Sequence, residues 1–86
     1  MNKLETLRAA IDAVDEQMLD LLGKRRELVS HVGMYKKTQG LPIVDSEREK
    51  KKLQSLQQKA KKQHINPTLI KRIWQILYKD AYTIEK

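Results

Sequence analysis

Two interleaved heptad rows of apolar residues run along the first part of the chain with no proline between them. One row is Leu4, Ile11, Met18 and Val32; the other is Leu7, Val14, Leu21, Leu28 and Tyr35. Apolar residues three and four apart lie on one face of a helix, so this seam predicts a single helix from about Leu4 to about Tyr35. Gly23 and Gly33 weaken it by roughly 1 kcal/mol each relative to alanine. The segment Gln39-Gly40-Leu41-Pro42 supplies its stop. A helix of about 34 residues is about 50 Å long. A compact chain of this size has a radius of gyration near 12 Å and a diameter of roughly 30 Å. The helix therefore overhangs any monomeric globule, and a second copy would cover the rest of its seam. The competing expectation is a first helix bent or broken at Gly23.

The remaining sequence also reads as helix. Asp45 or Ser46 can cap a second helix carrying a thin apolar stripe of Leu53, Leu56 and Ala60 and ending near Gln63 or His64. Asn66-Pro67 is a cap and first-turn signal for a third, with Leu69, Ile70, Ile73, Trp74, Leu77, Ala81 and Ile84 as apolar positions. With 3 glycines, 2 prolines and no β-branched runs, the expected class is all-α. The expected architecture is one long and two shorter helices, in one domain over residues 1–86, assembled as an intertwined homodimer.

Composition removes several kinds of chemistry. The chain has no cysteine, so disulfides and thiolate metal sites are excluded. Its two histidines, His31 and His64, are too far apart for a metal-ligand motif. No apolar run spans a membrane, and Met1-Asn2-Lys3-Leu4-Glu5 lacks the apolar stretch of a signal peptide, so a cytoplasmic location is expected. Lysine plus arginine is 18 against 11 acidic residues, a formal charge of +7 that calls for an anionic partner.

A few charged residues break the pattern. Arg25 occupies the heptad row of Leu4, Ile11, Met18 and Val32. A guanidinium there must find an anion, because an unpaired buried charge costs several kcal/mol. Lys36, eleven residues on, returns to nearly the same face about 16 Å along the axis. The pair can approach a small polyanion from two sides; the alternative is an Arg25 paired with a protein carboxylate and a solvated Lys36. Arg8 lies about 25 Å from Arg25 along one helix, beyond the reach of the same small ligand within one chain. In an antiparallel pair of helices it would approach the Arg25 end of the other copy; otherwise it is an i,i+4 partner of Asp12. Ser46 and Glu49 match a capping box, which by itself accounts for Glu49; the functional alternative turns Arg48 and Glu49 inward. Glu85 falls on the apolar face of the third helix, where a carboxyl is hard to ionise unless paired. The run Lys50-Lys51-Lys52 with Lys59, Lys61 and Lys62 lacks interleaved aromatics and reads as a solvated face, not a nucleic-acid surface.

Taken in order, Leu7-Arg8, Ile11-Asp12, Asp15, Leu21-Leu22, Arg25-Arg26-Glu27-Leu28, Val32-Gly33, Lys36, Pro42-Ile43-Val44-Asp45, Glu47-Arg48-Glu49 and Ile73-Trp74-Gln75-Ile76-Leu77 resemble the all-helical chorismate mutases of the AroQ class over essentially the whole chain. The resemblance implies an intertwined homodimer with two equivalent sites, each borrowing an arginine from the partner. It also implies conversion of chorismate to prephenate, on the route to phenylalanine and tyrosine, with no metal and no cofactor. By the same resemblance, Arg25 and the partner's Arg8 match the carboxylate-binding arginines, and Lys36 matches the lysine that contacts a carboxylate and the ether oxygen. Arg48 matches a further site arginine. Glu49 matches the acceptor of the substrate hydroxyl, which the backbone at Asp45 helps position. Two positions depart from the common bacterial pattern. Ala81 stands where a serine is often found, and Glu85 where a glutamine often donates to the ether oxygen. An ionised Glu85 would repel the developing oxyanion; a protonated one would donate to it.

The related isochorismate–pyruvate lyases are the enzymatic alternative, but they generally lack a glutamate after the second-helix arginine, so Arg48-Glu49 favours the mutase. A basic helical module binding nucleic acid is the non-enzymatic alternative, and it gives no reason for Arg25 in an apolar seam.

Overall fold

The computed structural model describes residues 2–86, which form three α-helices. Helix α1 spans Lys3–Gln39. The Asn2 side chain caps it by accepting from the Glu5 amide at 2.8 Å. Gly40, at φ 66°, ends it in the left-handed conformation glycine adopts without strain, and the amides of Gly40 and Leu41 both return to the Lys36 carbonyl. The helix runs through Gly23 without interruption, so the broken-helix alternative does not hold.

Helix α2 spans Ser46–Lys62. Its cap is Asp45, whose carboxylate accepts from the Arg48 amide at 3.2 Å. Ser46 is thus the first helical residue, and the Ser46–Glu49 capping box expected from the sequence does not form. At the other end the Ile65 amide reaches Ala60 O and the His64 amide reaches Lys61 O, with His64 at φ 60°. This pair of hydrogen bonds closes the last turn with a histidine where glycine is commoner. Helix α3 spans Pro67–Glu85, with Pro67 in its first turn and Asn66 accepting from Thr68 N at 2.9 Å.

Helix α3 is the shared element and packs on both α1 and α2. Its fit against α1 depends on Gly33. A β-carbon there would lie 2.8 Å from Glu85 Cα, a backbone atom that cannot move aside cheaply. The buried residues are small or charged (Gly33, Ala60, Ala81 and Glu85), so the helices approach closely and enclose little apolar volume.

The chain measures 57 × 25 × 15 Å with a radius of gyration of 16.4 Å, well above the compact value. The α1 residues covered within the chain are Arg25, Val29, Gly33 and Lys36, at helical spacing. Every residue from Lys3 to Lys24 is exposed. The seam residues Leu4, Leu7, Ile11, Val14, Met18 and Leu21 leave 52–62% of their surface uncovered. No helix among the described residues is long and apolar enough to cross a membrane.

Candidate active site

The second half of α1, the first turns of α2 and the last turns of α3 enclose a cleft of about 410 Å³. Seven of the eight site residues expected from the sequence line it: Arg25 and Lys36 from α1, Asp45, Arg48 and Glu49 from the start of α2, and Ala81 and Glu85 from α3. The shared face of Arg25 and Lys36 is therefore as their spacing implied. Leu28, Val29, Val32, Ile43 and Trp74 form its apolar walls. Arg8 is not among the lining residues. It lies on the exposed first turns of α1 and makes no ion pair with Asp12 among the described residues.

Lys36 ties three elements together. Its ammonium donates to the Ile43 carbonyl at 2.6 Å and stands 2.6 Å from Glu85 Oε1. The solvated alternative for Lys36 is thus excluded. Glu85 is only 5% exposed and is still helical, so the chain end is ordered here and not frayed. The Lys36 ammonium supplies the opposite charge that a buried carboxylate needs. Its approach satisfies distance but not hydrogen-bond direction, so Glu85 Oε1 is charge-compensated and accepts no hydrogen bond. Ala81 presents only a methyl group, at 6% exposure.

Glu49 departs from its expected local role. With Asp45 as cap, its side chain turns to α3 and accepts a short hydrogen bond from the Tyr82 hydroxyl. The Tyr78 hydroxyl, one turn earlier, donates to the Glu49 backbone carbonyl at 3.4 Å. Burial pushes the Tyr82 phenol up to about 12, and the hydrogen bond and charge of Glu49 add to the effect. Burial and then Glu49 also raise Tyr78, partly offset by Arg25 and Arg48. Sequence reasoning missed both tyrosines, although a signal was present: they lie seven and three residues before Glu85, on its face of α3.

Lys52 is exposed, as expected of the lysine run it belongs to, and it also borders the cleft. The lining then holds four basic residues (Arg25, Lys36, Arg48, Lys52) and three acidic ones (Asp45, Glu49, Glu85), a formal excess of one positive charge. Amphipathic walls, convergent guanidinium groups and a half-buried lysine suit a small anion with an apolar body.

Comparison with known proteins decides the family. The model for chorismate mutase type II matches residues 7–86, a span that includes every cleft residue and Arg8. The chain belongs to the chorismate mutase type II family. A relative described as chorismate mutase, from Methanocaldococcus jannaschii, is 30% identical across 100% of this chain and 87% of its own length. The T-protein of Enterobacter agglomerans is 42% identical over 83 residues, 96% of this chain and 22% of that protein. The bifunctional chorismate mutase/prephenate dehydratase of Escherichia coli K12 is 38% identical over 80 residues, 93% of this chain and 21% of that protein. The mutase chain thus spans about a fifth of the length of these two larger relatives. The cleft of this chain carries a methyl group at Ala81, a carboxyl at Glu85 and an amine at Lys52.

Proposed function

We propose that this chain works as a single mutase domain in the cytosol and rearranges chorismate to prephenate in aromatic amino acid biosynthesis. The observation that carries the reading is the convergence of Arg25, Lys36 and Arg48 on one cleft with apolar walls, in a chain of this family. The reaction is unimolecular: one C–C bond forms while the ether C–O bond breaks, and no atom, proton or electron enters or leaves. Such a step requires no nucleophile and no cofactor. It requires the folded, reactive conformer to be held and the negative charge developing on the ether oxygen to be met by fixed donors.

Arg25 binds one carboxylate through its planar fork, and the partner's Arg8 binds the other. Lys36 lies against a carboxylate and the ether oxygen, Arg48 adds a further cation, and the backbone at Asp45 and the Glu49 carboxylate receive the ring hydroxyl. Ala81 lies against the bound substrate as an apolar contact. Glu85 faces Lys36 from α3 and is placed beside the ether oxygen, to which its protonated form donates.

The working unit is a homodimer. One chain leaves the seam from Leu4 to Leu21 bare, an apolar stripe that a second long helix would cover.

Loss of chorismate absorbance on adding purified protein tests the reading, with Arg25→Ala as control. Removing one such donor costs roughly 10²–10³-fold in rate. No turnover, or equal turnover by the control, contradicts it. Glu85 is tested by Glu85→Gln, which keeps a neutral donor beside Lys36: turnover of chorismate at or above the wild-type rate is expected, and a loss as large as that of Arg25→Ala would remove Glu85 as the donor.

A further inference from the structure

The residue that receives the ring hydroxyl in the proposed mechanism, Glu49, is held by a second helix. Glu49 lies in the first turn of α2, where its side chain has several rotamers open to it and no capping role, because Asp45 caps the helix. What fixes it is α3. The Tyr82 hydroxyl donates to Glu49 Oε1, and one turn earlier the Tyr78 hydroxyl donates to the Glu49 carbonyl. One tyrosine thus holds the backbone of the residue and the other its carboxylate. Tyr78, Tyr82 and Glu49 all line the cleft.

We propose that Tyr82 is a positioning residue for substrate-hydroxyl recognition: by occupying Oε1 of Glu49 it presents Oε2 as the acceptor for the ring hydroxyl. This rests on the mutase reading above. Among the described residues no hydrogen bond ends on Oε2, so a carboxylate with two acceptor oxygens has one committed to the protein and one left for a ligand. Tyr82 suits the task because it donates one proton and holds it up to about pH 12, so the contact persists over any ordinary assay range. It also ties the hydroxyl acceptor to α3, the helix that carries Glu85. The groups that meet the two ends of the proposed substrate therefore share one rigid support.

The inference predicts a loss confined to the hydroxyl. On chorismate, Tyr82→Phe lowers kcat/KM roughly tenfold, the effect of removing one hydrogen bond to a charged group. On an analogue of the substrate without the ring hydroxyl, wild type and Tyr82→Phe turn over equally. A double-mutant cycle with Glu49→Gln shows strong non-additivity, because both changes remove one interaction. Equal loss on both substrates assigns Tyr82 to packing alone and overturns the proposal, as does full activity of Tyr82→Phe on chorismate. Failure of the underlying reading looks different: the wild-type protein consumes no chorismate. In that event phenol titration decides the contact itself. The Tyr82 titration near 12 falls towards the ordinary tyrosine value in Glu49→Gln if the pair exists in solution, and an unchanged titration overturns the proposal.

Discussion

The two halves of α1 carry the same heptad pattern and end in opposite situations. From Arg25 onward, α3 lies against the helix and covers Arg25, Val29, Gly33 and Lys36, and the site forms there. From Lys3 to Lys24 every residue is exposed, although Leu4, Ile11 and Met18 belong to the same row. Hydrophobic spacing alone cannot tell which partner covers a seam; it states only that something must. The charge that interrupts the row marks the border. Arg25 is where the apolar stripe gives way to the wall of a cleft. One half of the helix is covered by its own chain and the other is left bare.

The contrast can be broken from either side. The largest effect is expected on the bare half. Ile11→Lys places a charge in the unpartnered stripe, so the dimer dissociation constant should rise by about two orders of magnitude or more, roughly 3 kcal/mol. Light scattering would show monomers and turnover would fall with them, though the substitution is far from the cleft. An unchanged dimer would mean that the stripe is covered in some other way. On the covered half, Gly33→Ala drives a methyl group to 2.8 Å from Glu85 Cα and should cost about 1–3 kcal/mol in thermal unfolding. It should also reduce activity by displacing Glu85 from Lys36. Gly23→Ala, with nothing within 4 Å of the added carbon, should be neutral or stabilising by up to about 1 kcal/mol.

The smallest effect is alkaline. Tyr82 titrates near 10.0 when unfolded and about 12 in the folded chain, so the native state holds its proton more tightly. Its contribution is complete below pH 10 and is lost as pH rises towards 12. Denaturant titrations at rising pH should show wild type losing stability relative to Tyr82→Phe across that window. Parallel curves would mean the phenol is neither buried nor held by Glu49 in the folded chain.

The sequence is most informative where one helix suffices. The seam, the Gly40 stop, the Asn66-Pro67 start and the shared face of Arg25 and Lys36 all follow from spacing within an element. Placing Glu85 on the apolar face of α3 also followed, and the pairing with Lys36 is the condition that its burial required. What escaped notice depends on registers between helices. The Tyr82–Glu49 contact joins residues 33 positions apart, and no single-helix pattern fixes that alignment. Gly33 read as a weak point in a helix because the Glu85 backbone that needs its space comes from α3. Ser46–Glu49 satisfied a local capping rule, but Asp45 takes the cap and α3 claims the glutamate. Lys52 faces water with its neighbours, as its charge run implied, and that it also borders the cleft depends on how α2 sits on α3.

The central claim is that the bare half of α1 completes the site of another chain through Arg8, and mixing two inactive variants tests it most directly. Arg8→Ala and Arg25→Ala are each expected to be nearly inactive as homodimers. When they are unfolded together and refolded at equal amounts, half of the dimers are mixed, and each mixed dimer has one site with both arginines intact. Activity should therefore return to about a quarter of the wild-type value. If Arg8 serves its own chain, or no site at all, the mixture shows only the average of the two homodimers, and the composite site is contradicted.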